Sequence, residues 1–277
     1  MKEIEVEGYK IVYDEYGNAN NPAIILLHGW FSYRGVWKQI AGLLEGNYYC
    51  VAVDLLGFGD SDKPEKADYS IEAQSKRIVE IAQGLGLDRF SIIGHSMGGQ
   101  IAIYVASLIA PEKVERLVTV GGIVCGKQKP YIENGIIGFT HVARHFRKLY
   151  SIWGRLLHYD IFVRGILKTW VYKIDAVPRQ LWVKDREMAF REELYISANE
   201  AGKAIQKVNL ETALPKIIAS TLTIFGERDA VVPISDGYLV EKMVQGSQLE
   251  LIEDCGHFPM YEKAEEFEQI VLEFFSI

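Results

Sequence analysis

The sequence predicts an α/β fold, in which helices cover both faces of a mostly parallel sheet and a helical insert interrupts the core. Strand-like and helix-like runs alternate over residues 23–122 and again over 222–277, and this alternation is typical of parallel sheets. The chain has 277 residues, of which 49% are hydrophobic and 24% charged, as expected of a soluble globular protein with a large core. About residues 125–211 the alternation breaks. We therefore expect a core of residues 1–124 and 212–277 and a cap or lid between them.

The elements of the core are expected in a simple order along the chain. An alternating pattern at about residues 3–16 predicts an N-terminal hairpin, and a turn that ends at Pro22 follows it. Strand-like runs come next, at residues 23–27, 89–93, 117–120, 221–225 and 248–252. Ligands of such sheets bind beyond the carboxyl ends of the strands. Polar residues directly after these runs are therefore the candidates for a functional site.

The most specific motif of the chain follows the run at 89–93. Gly94-His95-Ser96-Met97-Gly98 is a G-x-S-x-G sequence that stands between a strand-like run and an apolar helix-like run at residues 100–110. A strand-to-helix turn of this kind is so tight that the residues two before and two after the serine can carry almost no side chain. The turn lifts the serine hydroxyl above the sheet and aims the Met97 amide, at the positive end of the new helix, at the group under attack. Ser96 is predicted to be a nucleophile.

A nucleophilic serine needs a base, and His257 is the candidate. It follows the run at 248–252, with Gly256 before it and Phe258-Pro259 after it. A lone loop histidine is more often a surface residue, but these neighbours favour catalysis. His28 lies in the first core loop, and His95 lies inside the motif and points away from the serine hydroxyl. The remaining histidines fall in the insert: His141, His145 and His158.

The acid that orients the base is expected to be Asp229, which follows the run at 221–225. Its carboxylate would hold His257 in the tautomer whose other nitrogen faces Ser96 and would stabilise the imidazolium. Glu227 is expected to be a solvated turn residue, and Asp254 is too close in sequence to reach the far nitrogen of the histidine. No carboxylate directly follows the run at 117–120, where two glycines stand, so an acid at that strand is excluded.

The oxyanion hole is expected to combine two backbone amides, those of Trp30 and Met97. Trp30 follows the run at 23–27 in His28-Gly29-Trp30, where Gly29 permits a sharp turn that points the next amide inward. Only the backbone is needed for this role, so the indole is free to shape the pocket. Trp30 can equally be an ordinary core aromatic, and the two roles are compatible.

The chain resembles the α/β-hydrolase superfamily, in which a serine, an acid and a histidine follow in that order, as Ser96, Asp229 and His257 do here. The similarity covers nearly the whole chain and includes residues 54–61, Asp-Leu-Leu-Gly-Phe-Gly-Asp-Ser, which look like the D-x-x-G-x-G-x-S loop of that family. We expect a structural role for this loop, in which Asp54 binds backbone amides. The resemblance implies the α/β-hydrolase fold and a serine hydrolase similar to carboxylesterases and lipases that carry a helical cap.

The insert has a helical signature of its own. From residue 139 the apolar positions recur at helical spacing on one face: Phe139, Val142, Ala143, Phe146, Leu149, Tyr150, Trp153, Leu156 and Leu157. In the resembling enzymes an insert at this place covers the site and shapes the acyl or alcohol pocket. An apolar stripe is more often ordinary packing against the core, so no single insert residue is assigned to substrate binding.

Charge divides unevenly between the two parts of the chain. Residues 125–211 hold 15 basic and 9 acidic residues, whereas the remainder holds 15 and 28, and the whole chain has a net charge of −7. Basic residues dominate the polar face of the helix in the insert: His141, Arg144, Arg147, Lys148 and Arg155. Such a helix could rest on an anionic membrane surface, or draw in an anionic substrate, or simply pair with the acidic core. A negative net charge without a binding motif argues against nucleic acid as a partner.

The resulting hypothesis is a serine esterase that acts on a small-molecule carboxylic ester through an acyl-enzyme and needs neither a metal nor an organic cofactor. A carbon–carbon bond hydrolase of the meta-cleavage type is the alternative, and perhydrolases, lactonases and iminopeptidases stay open. A ligand-binding homologue without activity is a third class. The three cysteines are unpatterned, which predicts free thiols rather than a disulfide framework or a zinc site. The start of the chain lacks a signal-like pattern, so a cytoplasmic protein is expected.

Overall fold

The centre of the molecule is one sheet, which the sequence predicted to be mostly parallel. The structure, a computed structural model, describes residues 1–129, 132, 135, 138–143, 152, 159, 164–165, 168, 170–177, 187–188 and 191–276. Eight strands of these ranges form the sheet: β1 (Lys2–Val6), β2 (Tyr9–Tyr16), β3 (Ala23–Leu27), β4 (Tyr49–Val53), β5 (Phe90–His95), β6 (Val114–Val120), β7 (Ser220–Gly226) and β8 (Gln248–Ile252).

The strands lie in the order β1-β2-β4-β3-β5-β6-β7-β8. The hairpin strands pair antiparallel with each other and β2 pairs antiparallel with β4, while all the other neighbours pair parallel. Every residue of β3 and β4 is buried. This is the pattern of strands that are covered on both faces, which is why they read as unbroken apolar runs in the sequence.

Helices lie on both faces of the sheet, as predicted. They are α1 (Lys38–Leu44), α2 (Ile71–Gly84), α3 (Met97–Tyr104), α4 (Gly138–Ala143), α5 (Ser197–Lys207), α6 (Ser235–Met243), α7 (Pro259–Glu262) and α8 (Ala264–Phe275). Successive residues of β3 point to opposite faces. Ile25 therefore joins one apolar layer together with Ile101 of α3, whereas Ile24 joins the other together with Ile40 of α1 and Phe267 of α8.

The loop after β4 is built around a buried carboxylate, as its sequence indicated. Asp54 accepts hydrogen bonds from the backbone amides of Arg34 and Asp60, both at 2.7 Å. The Arg34 guanidinium contacts Asp54 and also Asp60, at 2.9 Å. The close approach also explains Gly59, since a Cβ at this position would overlap the Asp54 carboxylate. The sequence did not identify Arg34 as the counter-charge, because its partner lies 20 residues further along the chain.

The insert meets the core through α5 and the residues before it. Ala198 O accepts a hydrogen bond from Trp30 Nε1 at 2.8 Å, and Ser197 Oγ donates to Gly57 O at 2.7 Å. Ahead of α5, Arg191 Nη1 lies 2.9 Å from Asp60 Oδ1. These contacts anchor the insert to two of the loops at the carboxyl ends of the strands.

Much of the helix predicted from residue 139 lies outside the described residues. The structure has α4 up to Ala143, with His141 and Val142 exposed. The other predicted positions lie outside the described residues or have no described side chain: Phe139, Ala143, Arg144, His145, Phe146, Arg147, Lys148, Leu149, Tyr150, Trp153, Arg155, Leu156, Leu157 and His158. Across the part of the chain that the structure describes, none of the helices has the length and apolar character needed to cross a membrane.

Candidate active site

Ser96 lies at the sharp turn between β5 and α3. It has a backbone φ of 54° and ψ of −115°, in a region that residues with a side chain rarely adopt. The residue is buried, with 6% of its surface exposed. The sequence predicted a hydroxyl raised above the sheet, but it did not reveal that the surrounding loops cover this position.

The two glycines of the motif are required by close backbone contacts. A Cβ on Gly94 would lie 2.3 Å from Gly98 O, and a Cβ on Gly98 would lie 2.3 Å from Leu27 O in β3. Real Cβ atoms do not approach backbone oxygens this closely. The turn at Ser96 can therefore form only with glycine at both positions, which is the steric reason that the sequence motif suggested.

His257 and Asp229 form a buried pair at the carboxyl edge of the sheet. Asp229 follows β7 and His257 follows β8, and their Nδ1 and Oδ2 atoms lie 2.7 Å apart. The other carboxylate oxygen of Asp229 accepts the amides of Val231 at 2.8 Å and Val232 at 3.0 Å. Because an ionised carboxylate can only accept from the ring, Nδ1 is the donor in this contact, and in a neutral ring Nε2 would carry the lone pair.

Gly121 brings this pair next to the serine. Ser96 N donates to Val120 O at 2.9 Å, so the serine lies beside the end of β6. The next residue, Gly121, has a positive φ of 53°, and a Cβ there would lie 3.0 Å from His257 Nδ1 and 3.2 Å from Asp229 Oδ2. The absence of a side chain at Gly121 therefore leaves the space that His257 and Asp229 occupy. From the sequence, this position was notable only because it holds no carboxylate.

The two competing carboxylates are directed elsewhere. Glu227 is exposed. Asp254 forms an ion pair with Lys173 at 2.7 Å, and about half of each side chain is exposed. Lys173 holds the pKa of the Asp254 carboxyl below its ordinary value through a hydrogen bond. Of the three acids considered from the sequence, Asp229 is the one that contacts His257.

His28 and His95 are buried and bind backbone groups. Leu55 N donates to His28 Nε2 at 3.1 Å, so His28 Nδ1 carries the proton and donates to Gly29 O at 2.7 Å. His95 Nε2 donates to the carbonyl of His257 at 2.8 Å. Burial lowers the pKa of His28 and lowers that of His95 well below the ordinary value, with the neighbouring His257 as a second cause for His95. Both rings are neutral structural groups.

The loop of Trp30 lies against the serine. A Cβ on Gly29 would lie 3.1 Å from Ser96 Cβ, which brings the backbone of this loop to the site. His28 holds Gly29 O, and in a planar trans peptide the following amide of Trp30 points in the opposite direction. Met97 is the first residue of α3, so its amide has no acceptor within the helix. The roles of both amides as oxyanion donors stay predictions.

One residue that the sequence did not single out is close to this site. Glu262, the last residue of α7, is buried and accepts hydrogen bonds from the amides on both sides of His257. In the sequence it is one of several glutamates near the start of a helix. No sequence signal distinguishes it from Glu265 and Glu266, which are exposed.

No metal-ligand cluster is found where the structure describes the chain, counting groups of three or more histidine, cysteine, aspartate or glutamate side chains. The three cysteines, Cys50, Cys125 and Cys255, are free thiols, as the sequence predicted. Burial is the main cause that raises the pKa of the Cys50 thiol to about 12 and that of Cys125 to about 11, so neither is a nucleophile near neutral pH.

Comparison with known proteins gives one family and several relatives. A family model described as alpha/beta hydrolase fold matches residues 22–264. Lipase 1 of Psychrobacter immobilis is 30% identical to this chain, over 94% of this chain and 78% of its own length.

Two solved structures extend the comparison to three dimensions. A bacterial membrane phospholipase A superposes with a TM-score of 0.80 at 28% identity and covers 99% of this chain and 85% of its own. A meta-cleavage product hydrolase of Pseudomonas fluorescens gives a TM-score of 0.81 at 23% identity over 100% of this chain and 97% of its own, a likeness of fold alone.

Proposed function

Since this chain belongs to the alpha/beta hydrolase fold family, we propose that it is a serine hydrolase that cleaves carboxylic esters through an acyl-enzyme intermediate. The observation that carries the proposal is the 2.7 Å contact between His257 Nδ1 and Asp229 Oδ2, beside a serine with positive φ at a strand-to-helix turn. An activated serine needs a base, and that base in turn needs an orienting group. The three residues belong to three separate loops that meet at one edge of the sheet.

In the proposed reaction His257 transfers two protons, the serine proton to the leaving alcohol and then a water proton back to Ser96. His257 Nε2 accepts the proton of Ser96 as the serine oxygen attacks the ester carbonyl, and Asp229 stabilises the imidazolium. The tetrahedral intermediate then collapses, the ester C–O bond breaks, and the alcohol leaves with the proton from His257. Water, deprotonated by the same histidine, attacks the acyl-enzyme and releases the acid and the free serine.

The developing negative charge needs donors that are fixed before the reaction begins. We assign this role to the amides of Trp30, in the loop that lies against Ser96, and of Met97, the residue that follows it. Removing one such donor from a serine hydrolase costs about 100- to 1000-fold in turnover. Trp30 is held from the insert by its hydrogen bond to Ala198 O at 2.8 Å, which supports a fixed position for this loop.

The substrate class is proposed from the relatives together with the chain's own chemistry. The lipase and the phospholipase A named above suggest acyl esters of lipids, and the basic composition of the insert is compatible with anionic lipid surfaces. The identity of the alcohol and the length of the acyl chain stay open within this class. A carbon–carbon bond hydrolase uses the same kind of serine site and stays the alternative.

The test of the reaction type is covalent labelling. The protein is incubated with a fluorophosphonate and its mass is measured before and after digestion. We expect one adduct, on Ser96, with Ser91 unlabelled in the same digest because its hydroxyl lies within β5 rather than at the turn. A Ser96→Ala variant that folds but takes no label is the matched control. A protein that takes no label at all is a binding protein or a different enzyme.

The test of the substrate class compares two reactions at equal enzyme concentration. A series of p-nitrophenyl esters from acetate to palmitate is assayed beside a ring-fission diketone. Hydrolysis of the esters alone supports the proposal, and the chain length with the highest kcat/KM separates an esterase from a lipase. Faster turnover of the diketone would replace the proposal with the carbon–carbon hydrolase.

A further inference from the structure

Glu262 is a buried carboxylate whose described hydrogen-bond partners are all backbone amides. It is 8% exposed at the end of α7. Oε2 accepts hydrogen bonds from the amides of Tyr172 at 2.7 Å, Gly256 at 3.0 Å and Lys173 at 3.5 Å. Oε1 accepts a hydrogen bond from the amide of Phe258 at 3.2 Å. Burial raises the pKa of this carboxyl, and the amides oppose that shift because they stabilise its ionised form.

The amides bound by Glu262 belong to two segments that are far apart in the sequence. Gly256 and Phe258 flank His257, whereas residues 170–173 belong to the insert. The amide of His257 itself donates to Trp170 O at 2.8 Å. The histidine loop is therefore held at three successive amides, two by the carboxylate and one by the insert segment that the same carboxylate holds.

The remaining backbone group of His257 is also bound. Its carbonyl accepts the hydrogen bond from His95 Nε2, next to the serine. Both backbone groups of the residue whose ring lies 2.7 Å from Asp229 are therefore held by hydrogen bonds. A Cβ on Gly256 would lie 2.8 Å from Glu262 Oε1 and 2.7 Å from Tyr172 N, so the glycine before the histidine is explained by the same close packing.

Among the residues that the structure describes, no cation forms an ion pair with this carboxylate. Leaving a charged group buried is costly unless its hydrogen bonds are satisfied, and an apolar side chain could fill the same volume. An apolar side chain could not accept hydrogen bonds from the amides of both segments at once. We therefore explain the presence of a carboxylate here by the position in which its hydrogen bonds hold the histidine loop.

We infer that Glu262 is a positioning residue, which clamps residues 170–173 of the insert to the histidine loop and so holds His257 against Asp229. The inference rests on the proposed role of His257 as the base. On this inference the insert helps to position the base through residues 170–173, which is a different role from covering the site. A displacement of about 1 Å in a reacting group can cost about 100-fold in rate, so loss of the clamp is expected to act on turnover.

The experiment compares three variants with the wild type. Glu262→Ala removes both acceptor oxygens. Glu262→Gln keeps the shape of the side chain but has one acceptor oxygen instead of two. Glu265→Gln removes an equal charge from an exposed position three residues further on and is the matched control. Near-UV circular dichroism and thermal melts give the folded fraction of each. The measurements are kcat and KM for an ester, the rate of fluorophosphonate labelling, and the downfield proton resonance of the hydrogen bond between His257 and Asp229.

For Glu262→Ala we expect kcat and the labelling rate to fall by about 100-fold per folded molecule, with a much smaller change in KM. The downfield resonance should broaden or disappear. Glu262→Gln should be intermediate on each measure, and Glu265→Gln should match the wild type. A variant that loses activity only in proportion to its folded fraction, or that keeps the resonance at the wild-type position, would overturn the inference.

The resonance also separates this inference from the proposed function. If the wild type neither hydrolyses esters nor takes the label, the proposed function fails. The clamp is then still supported when Glu262→Ala loses the resonance, and refuted when it keeps it.

Discussion

Ser96 has a conformation that its own side chain disfavours. A residue other than glycine in such a sparsely populated backbone region costs about 1–3 kcal/mol, and the surrounding structure must hold it there. Here the constraint comes from both sides, through the hydrogen bond that the Ser96 amide donates to Val120 O at 2.9 Å and through the start of α3 at Met97. The strained geometry is therefore held by the end of β6 on one side and by the first turn of α3 on the other.

The role of Asp229 can be separated from those of the two other acids considered from the sequence, Glu227 and Asp254. Asp229→Asn should lower kcat by about 10⁴-fold, because an amide leaves the histidine in the wrong tautomer. Asp254→Asn breaks only a half-exposed ion pair with Lys173, and Glu227→Gln changes an exposed residue, so both should keep nearly full activity. Steady-state kinetics on one ester checks all three. An Asp254→Asn variant that is worse than Asp229→Asn would show that the acid is misassigned.

The pH dependence of turnover tests His257 as the base. The ring must be neutral to accept the serine proton, so kcat/KM should rise with pH along one limb as a single group loses its proton. His95 cannot account for such a limb, since burial keeps its pKa well below the ordinary value. The measurement is a pH–rate profile with an ester whose chemical step limits the rate. A flat profile from pH 5 to 8 would argue against a histidine base.

The buried histidines should also make stability depend on pH. Below about pH 6.5 the unfolded chain protonates His28 and His95, whereas the folded protein keeps them neutral because burial lowers both pKa values. The unfolded state then binds more protons, so the free energy of unfolding should fall as pH falls. Each histidine contributes a slope of at most about 1.4 kcal/mol per pH unit, over the pH range in which the unfolded chain binds its proton and the folded protein does not.

Denaturant unfolding between pH 5 and 7.5 measures this slope. The pKa values of Glu262 and Asp236 are raised by burial, so these carboxyls act in the opposite sense at the acid end. Comparing the wild type with His95→Gln isolates one histidine. The free energy of unfolding of the variant should depend less steeply on pH, because the contribution of His95 is missing. Equal slopes in the two proteins would contradict a neutral buried His95.

At the scale of elements, the position of α3 depends on glycine. Gly98→Ala places a Cβ 2.3 Å from Leu27 O and 2.6 Å from His28 O, both backbone atoms that cannot move aside alone. We expect a loss of about 1–3 kcal/mol in the free energy of unfolding, the usual cost of overpacking, and lower activity. Gly42→Ala in α1 is the control.

The control should behave in the opposite way. Gly42 is exposed, and no atom outside its own helix lies within 4 Å of its potential Cβ. Alanine should therefore stabilise the protein by up to about 1 kcal/mol through helix propensity. Urea unfolding of both variants checks the pair. A Gly98→Ala protein as stable as the wild type would mean that α3 can shift, which would weaken the steric account of the turn.

Elements with local signals were predictable from the sequence. The turn at Ser96 follows from short-range sterics, β3 follows from an unbroken apolar run, and β7 follows from a strand-like run in which threonines alternate with apolar residues. The strand order could not be predicted, because pairing depends on contacts between distant parts of the chain. Glu262 was missed for the same reason, since Tyr172 lies 90 residues away from it. The helix-like run at 100–110 was only partly correct: α3 ends at Tyr104, and π-helical turns follow at Val105–Ile109.

At the scale of the whole molecule, the charges of the two parts differ in sign. Residues 125–211 have a net charge of +6 and the remainder has −13. If the basic face of the insert meets a lipid surface, anionic vesicles should bind the protein, and binding should weaken with salt because exposed charges are screened beyond about 10 Å at 0.1 M. Each basic residue near such a surface contributes about 1 kcal/mol.

The matched experiment reverses three of these charges. Arg144→Glu, Arg147→Glu and Lys148→Glu together should abolish binding to anionic vesicles in a flotation assay, while neutral vesicles bind neither protein. Hydrolysis of a short ester should barely change, because Ser96, Asp229 and His257 all belong to the core. Wild-type protein that stays unbound at low salt would leave the insert as a cover over the site and favour a soluble ester as the substrate.

The pairing of β6 with β7 has a consequence for how such a chain can diversify. Val118 lies opposite Leu222, although about a hundred residues separate them. The entropic cost of closing a loop grows only with the logarithm of the loop's length. Doubling the length of this connection would therefore lower the free energy of unfolding by only about 0.6 kcal/mol. Evolution could lengthen, shorten or replace the insert here with little penalty to folding. The constraint on such exchange would lie in two hydrogen bonds, which the carbonyls of Trp170 and Ala198 accept from His257 N and Trp30 Nε1 and which any replacement would have to reproduce.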